Sequence, residues 1–404
     1  MRRLEPKPKR ALEGIRVLEL GQLLAGPFAG TILAYHGADV IKVEPPGRGD
    51  PIRQWRVLAG GTSLWWRSLG RNKRCITCDL KSERGRQLAR ELALQCDVLI
   101  ENFRPGTLEA WGLGPAALWE HNPGLVIARV SGYGQTGPYA DRPGYASVCE
   151  GFGGFRHLNG MAGETPVRPN LSMGDTLAGL HAALGILLAL RQRDADPAHH
   201  GQVVDVALFE AVFNLLEAVV PEYDGAGVSR GPSGTTVTGI VPTNTYRCHD
   251  GRYVIIGGNG DSIYKRLMET AGRTDLANDP RLADNAGRVE HEQVIDQAIA
   301  AWTSSLESDT VLEQLRAARV PAGPIYSVED MFRDPQYQAR GLLETVEVDG
   351  QALRIPAIVP RMEATPGRTD WAGPSVGAHN REIFGELLGL DEAEQKALGQ
   401  SGII

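Results

Sequence analysis

Short apolar runs at 15–20, 39–43, 74–80, 98–100 and 125–130 alternate with helical stretches such as 28–35 and 83–95 along the first third of the chain. Strand-length runs separated by helix-length segments predict a parallel α/β sheet. From 176 to 190 the sequence reads TLAGLHAALGILLAL, without proline or charge, and closes on Arg191-Gln192-Arg193, where a helix C-terminus favours cations. That stretch predicts a buried helix. A strand over 203–208 and an apolar helix over 209–220 follow. From 225 to 237 the composition shifts to Gly, Ser, Thr and Pro, which reads as a mobile loop at a domain junction. A second unit then shows strands near 245–247 and 253–257 and helices near 262–271, 291–304 and 309–318. Residues 320–326 read as the crossing back to the first unit.

At 404 residues, with 42% hydrophobic and 23% charged content, the chain can bury a substantial core and form two domains. A formal net charge of -7 argues against nucleic acid as the main partner. No uninterrupted apolar run reaches the span of a bilayer, and the N-terminus lacks a signal-peptide core, so the expectation is a cytoplasmic protein without a membrane partner. Residues 1–10 read as a short solvated arm, because two prolines and Glu5 spoil an amphipathic presequence.

Five cysteines, Cys75, Cys78, Cys96, Cys149 and Cys248, are odd in number and scattered, which predicts no disulfide framework. Cys75-Ile76-Thr77-Cys78 imitates a metal or redox pair. In an extended segment, however, side chains three apart point to opposite faces, and no second pair lies nearby, so no metal is expected. Gly21, Gly26 and Gly30 follow the first strand without dinucleotide-binding spacing, and His199-His200 sits in a polar, loop-like stretch.

Residues 168–176 bring a lone carboxylate, Asp175, to the start of the long apolar helix. An aspartate immediately before such a run is a natural N-cap. Gly174 permits close backbone approach, and the positive helix end keeps a carboxylate ionised, which suits attack on an activated carbonyl. Local sequence does not choose between cap and nucleophile.

An ordered series of motifs does choose. It starts with Leu12-Glu13-Gly14-Ile15-Arg16-Val17, Ala25-Gly26-Pro27, Gly37-Ala38-Asp39-Val40 and Gly47-Arg48-Gly49-Asp50. It continues through Arg71-Asn72-Lys73-Arg74, Asp79-Leu80-Lys81, Glu101-Asn102-Phe103-Arg104-Pro105-Gly106 and Gly132-Tyr133-Gly134-Gln135. Pro143-Gly144-Tyr145, Gly174-Asp175, Gly201-Gln202 and Val320-Pro321-Ala322-Gly323-Pro324 complete it. The series resembles the family III CoA-transferases along nearly the whole chain.

The resemblance implies a Rossmann-like large domain made of 11–224 and the returning segment 326–404, a smaller α/β domain over 225–325, and a homodimer of interlocked rings. It implies that Asp175 is the nucleophile of a CoA transfer through aspartyl anhydride and aspartyl-CoA thioester intermediates. Coenzyme A enters as acyl-CoA substrate, with no metal. Matched motif by motif, Lys81, Asn102, Phe103 and Arg104 fall at CoA-binding positions, Leu24 and Ala25 near the thioester, and Cys78, Asp79 and Leu80 along the nucleotide. Arg142 and Tyr145 flank the reacting carbonyl. Arg48 replaces a basic contact that some members carry at the position of Pro45. A glycine loop closes over the aspartate, either Gly257-Gly258-Asn259-Gly260 or 231–234. Plainer readings stand beside these: core packing for Phe103, a solvated loop charge for Lys81, and ordinary turns for the glycines.

Leu24 stands where formate and oxalate transferases of the family carry glutamine, and Ala146 where an acidic residue is frequent. The α-methylacyl-CoA racemases share the fold but use a histidine with an aspartate, and Tyr145-Ala146-Ser147-Val148 has no histidine there. A CoA-binding protein without turnover is the other alternative, against which the intact Gly174-Asp175 element counts. The expected donor is succinyl-CoA and the expected acceptor glutarate or a related C4 to C6 dicarboxylate, with Arg142, Arg156 or Arg168 pairing with the distal carboxylate.

Overall fold

Six parallel strands frame the larger of two units. In the computed structural model, which describes residues 9–404, that unit runs to Phe155 and takes up Pro169–Glu217 and Gln336–Ile404, while the smaller comprises Arg156–Arg168 and Ala218–Pro335. Of the N-terminal arm read from sequence, residues 1–8 lie outside the described residues. The chain order is β1 (Arg16–Glu19), α1 (Ala25–Tyr35), β2 (Asp39–Glu44), β3 (Lys73–Thr77), α2 (Glu83–Ala93), β4 (Val98–Glu101), β5 (Val126–Ser131), α3 (Ala146–Phe152), α4 (Met173–Ala195) and β6 (Val203–Ala207). The sheet order is β3-β2-β1-β4-β5-β6.

Register explains why the strands read as apolar runs. Val40, Val17, Val98 and Val126 align in one row across the sheet and pack against α1 and α4. Ile41, Leu18, Leu99 and Ile127 form the next row and pack on the opposite face against Leu88 and Leu92 of α2. Covering both faces removes the alternation of a half-exposed strand. Strand β3 ends at Thr77 rather than Leu80, the Cys78 N–H making the last bond to β2, at Glu44 O (2.8 Å), before the chain turns. Cys75 and Cys78 sit in different core clusters, and all five cysteines are free and buried.

Helix α4 starts three residues before the apolar run and includes the arginines read as its terminus. Its buried stripe of Ala178, Ala182, Ile186 and Ala189 faces the core. By length and composition this helix is long enough to cross a bilayer, contrary to the expectation from sequence, but 44% of its most apolar window is inside the fold. The helix expected over 209–220 is broken into α5 (Leu208–Phe213) and α6 (Val219–Ala226), because Glu217 adopts φ 46°, which no α-helix accommodates.

The smaller unit carries β7 (Thr243–Arg247), β8 (Tyr253–Gly257), α7 (Asp261–Thr270), α8 (Asn285–Glu290), α9 (Glu292–Thr303), α10 (Ser308–Ala317) and β9 (Ala322–Pro324). Its sheet is antiparallel in the order β9-β8-β7. The segment expected to cross back thus first supplies a third strand, pairing Ala322 with Ile256 and Pro324 with Val254. In the larger unit the last 69 residues add the hairpin β10 (Leu343–Val348) and β11 (Gln351–Pro356) and the helix α11 (Asn380–Leu388). The Asp79 N–H donates to Ile403 O (2.8 Å), so the C-terminal end braces the loop after β3.

Candidate active site

Strand order locates the crevice. The chain steps from β1 to β2 and β3 on one side and from β4 to β5 and β6 on the other, so the order reverses between β1 and β4. In open α/β sheets ligands lie at the carboxyl ends of the strands flanking such a reversal. The residues singled out in the larger unit follow those ends. Leu24 and Ala25 come after β1, Arg48 after β2, Cys78, Asp79, Leu80 and Lys81 after β3, Asn102, Phe103 and Arg104 after β4, and Arg142 and Tyr145 after β5.

The loop after β1 is fixed by side chains from three directions. The Leu23 N–H donates to both carboxylate oxygens of buried Asp50 (3.1 Å each), and Leu23 itself adopts φ 64°. Lys42 Nζ donates to Gly21 O (2.8 Å) and lies 2.9 Å from Asp50 Oδ2 and 3.1 Å from Glu19 Oε1. Burial opposes the charge on Lys42, but Asp50, Glu19 and Glu44 outweigh it and raise its pKa. Lys73 Nζ approaches Glu19 Oε2 (2.8 Å) and donates to Pro27 O (2.6 Å), tying in the first turn of α1. A Cβ on Gly30 would stand 1.9 Å from Glu19 Oε2, so that glycine makes room for the carboxylate.

Asn102 completes the clasp. Its Oδ1 accepts the Gln22 N–H and its Nδ2 donates to Gln22 O, both at 2.8 Å, so its amide is committed to shaping the loop. Losing both bonds at a part-buried backbone costs about 1–3 kcal/mol. Asn102→Ala is therefore expected to loosen the loop after β1 and to lower the thermal midpoint by several degrees, which calorimetry checks.

Arg48, Lys81 and Arg104 are exposed on three of these loops, and among the described residues none of their side chains is in an ion pair, leaving their charge available for phosphates. Phe103 packs edge-on against Trp111 (5.1 Å), so the plain reading of that ring holds at least in part. The Lys81 N–H donates to Asp79 Oδ1 (3.0 Å), and Ser82 caps α2 by accepting the Gly85 N–H. Among the described residues no group of three or more His, Cys, Asp or Glu side chains is arranged to hold a metal.

Asp175 is not the N-cap. It lies in the first turn of α4, two residues inside its start, and is half-buried. As a crossover helix leading to β6, α4 runs against the strands, which puts its N-terminus at the carboxyl edge of the sheet. A Cβ on Gly179 would stand 2.8 Å from Ala25 O, and Asp175 is one turn earlier on the same stripe. Asp175 therefore lies about 6 Å, four residues of helical rise, along α4 from that contact with the start of α1. Gly174 is needed for close approach, since its Cβ would meet Ala146 Cβ at 3.3 Å.

Two neighbours of Asp175 were not read from sequence. Cys149 donates from Sγ to Gly132 O (3.3 Å), and burial, then the charges of Asp175 and Glu150, push its pKa up to about 11. The thiol stays protonated and a poor nucleophile beside Asp175. Glu150, fully buried on α3, accepts the Gly174 N–H at Oε1 (3.2 Å). The only signal available in sequence was a carboxylate inside an otherwise apolar run. Arg142 stacks 3.5 Å over the Tyr139 ring, and Tyr145 is the N-terminal flank of α3 and 71% exposed.

The remaining candidates belong to the smaller unit. Within it, Gly257 N–H donates to Pro321 O and Gly258 N–H to Pro242 O (2.9 Å each), while fully buried Arg288 donates to Asn259 O and to Asp261 (2.8 Å each). Gly260 precedes α7. In the other glycine loop, Gly234 N–H donates to Gly160 O (2.9 Å). Arg156 and Arg168 lie in the segment that joins this unit from the first half of the chain.

Comparison with known proteins gives a consistent picture. The model of CoA-transferase family III matches residues 12–380. Succinyl-CoA–D-citramalate CoA-transferase of Chloroflexus aurantiacus is 46% identical over 98% of this chain and 99% of its own length. The alpha subunit of succinyl-CoA–L-malate CoA-transferase from the same organism is 40% identical, over 97% of this chain and 92% of its own. The crystal structure of a CaiB/BaiF family protein from Brucella suis superposes with a TM-score of 0.82 at 34% identity, covering 94% of this chain and all of the other.

Proposed function

The chain belongs to CoA-transferase family III, and from that premise we propose that it moves CoA from succinyl-CoA to a C4 to C6 dicarboxylate through covalent states of Asp175. The observation that carries this reading is the position of Asp175: a carboxylate on the first turn of α4, at the carboxyl edge of the sheet and one turn from the α1 contact.

The steps balance without redox chemistry. A carboxylate oxygen of Asp175 attacks the thioester carbonyl, and the CoA thiolate leaves, giving a mixed anhydride. The thiolate attacks the aspartyl carbonyl, succinate departs, and an aspartyl-CoA thioester remains. The acceptor carboxylate attacks that thioester to form a second anhydride. The returning thiolate takes its acyl group, which restores free Asp175. Loops 21–25, 45–48, 78–81 and 102–104 cradle CoA in this reading, with Arg48, Lys81 and Arg104 meeting its phosphates. Two copies form a homodimer, a reading supported by the exposed stripe of Leu180, Leu184, Leu187 and Leu188 on α4.

Arg142 is the chosen partner of the distal carboxylate. Its stacking on Tyr139 fixes the guanidinium plane, and among the described residues it is in no ion pair. A charge-assisted pair contributes about 1.5–3 kcal/mol, so Arg142→Gln is expected to raise KM for dicarboxylate acceptors about 10- to 100-fold while barely affecting a monocarboxylate. The assay is incubation with succinyl-CoA and a panel of acids including glutarate, malate, citramalate and butyrate, with mass spectrometry of the CoA esters formed. A new ester supports transfer and names the acceptor. Exchange of the α-proton without any new ester points to a racemase and overturns the proposal.

A further inference from the structure

We infer that Glu150 is a positioning residue for the nucleophile, holding the first turn of α4 in one geometry while Asp175 passes through its charged and neutral covalent states. This rests on the reading of Asp175 as the nucleophile.

A helix N-terminus leaves its first amides without intrahelical acceptors, and a side-chain oxygen normally fills one of them. At the start of α4 the N-cap position is Ser172, whose side chain makes no capping hydrogen bond. The acceptor comes from another helix. Glu150 Oε1 takes the N–H of Gly174, the residue adjoining Asp175, at 3.2 Å, and Glu150 is fully buried.

The seat is rigid on both sides. Ala146 and Glu150 are four apart on α3 and so share a face. Ala146 Cβ would stand 3.3 Å from a Cβ on Gly174, so the glycine backbone lies directly on that face. The charges of both Asp175 and Glu150 act on Cys149, which places the three groups in one cluster.

Chemistry explains why the cap should be a separate residue. During turnover the carboxylate of Asp175 becomes an anhydride and then a thioester, losing its charge and its capacity as a strong acceptor. A helix end capped by the nucleophile itself would be uncapped at each acylation. Glu150 does not react, so the Gly174 amide keeps its acceptor throughout, and the reacting carbonyl stays aligned with the incoming thiolate. Misplacement of a reacting group by about 1 Å can cost about 100-fold in rate.

The test compares three substitutions under the succinyl-CoA assay. Glu150→Gln keeps an acceptor oxygen at the same reach, Glu150→Asp withdraws it by one methylene, and Glu150→Ala removes it. The expected result is a kcat about 10- to 100-fold lower for Glu150→Ala and about tenfold lower for Glu150→Asp, with KM for succinyl-CoA within about threefold, and recovery to within about threefold of the parent kcat in Glu150→Gln. Hydrogen exchange of the peptide spanning Gly174 should speed up in the Ala and Asp variants and not in the Gln variant. Equal kcat in Gln and Asp variants, or a loss in KM with kcat preserved, overturns the inference, and that comparison stands if Glu150→Ala fails to fold. An unsubstituted protein that forms no new ester overturns the functional reading instead; the exchange measurement still decides whether Glu150 holds the turn.

Discussion

Asp175→Ala is expected to lose acyl transfer by about 10⁴-fold or more while remaining folded and able to bind CoA. In the proposed covalent route, removing the nucleophile leaves only the background that binding and oxyanion donors supply. The structural cost is small. An acidic side chain in a first helical turn contributes about 0.3–1 kcal/mol through the helix dipole, and the Gly174 amide retains Glu150 as acceptor. Asp175→Asn should be equally inactive, since the amide keeps the shape and loses the nucleophilic oxygen anion. Mixing the parent protein with succinyl-CoA and quenching with hydroxylamine should convert Asp175 into a hydroxamate, visible as a mass change on its tryptic peptide and missing in both variants. Retention of more than about a tenth of parental transfer by Asp175→Ala would move the chemistry to another group.

Lys42→Met should destabilise the fold by about 3–5 kcal/mol, a large share of the roughly 5–15 kcal/mol typical of a domain. Lys42, Glu19 and Asp50 are all fully buried, and the cation lies between two carboxylates. Methionine matches the length of the lysine stem but leaves the carboxylates facing each other. Glu19 keeps Lys73, and among the described residues Asp50 keeps the Leu23 and Ile52 amides, so the damage concentrates at Asp50. Urea unfolding should show a lower midpoint at unchanged slope. The double variant Lys42→Met/Asp50→Asn should regain part of the loss, because the stranded charge is gone. Additive losses in that cycle would show that the buried ions act independently. Because Asp50 also shapes the loop after β1, the single variant should bind CoA more weakly at temperatures where it is still folded.

Much of the site was readable because its residues cluster in short motifs. Asp79-Leu80-Lys81 and Asn102-Phe103-Arg104 sit immediately after strands whose apolar runs were themselves visible, so motif and strand end were found together. The role of Asn102 was not readable. A carboxamide near a ligand loop suggests a contact, and only the two 2.8 Å bonds to Gln22 show it shaping the backbone. Glu150 was passed over because, in sequence, it is one acidic residue among Ala, Val, Cys and Gly, and its amide partner lies 24 residues away. The helix starts three residues, most of a turn, before the apolar run for a local reason. Gly174 is a poor helix former and Ser172 makes no side-chain cap, so the apolar run alone places the start too late.

Sequence alone determined most strands and helices of the larger unit, because burial on both faces of a parallel sheet leaves short unbroken apolar runs and the 23-residue helix leaves a long one, each made of neighbouring residues. It also determined the family, through motifs that are local in the chain. Tertiary structure alone decided the strand order and its reversal between β1 and β4, the break at Glu217, the third strand at Ala322–Pro324 and the buried ionic clasp of Lys42, Glu19 and Asp50. All but the break at Glu217, which rests on one backbone angle, depend on pairings between residues far apart in the chain. A hydrogen bond or ion pair across such separations leaves no periodicity in either partner's neighbourhood, so only the folded chain brings it into view.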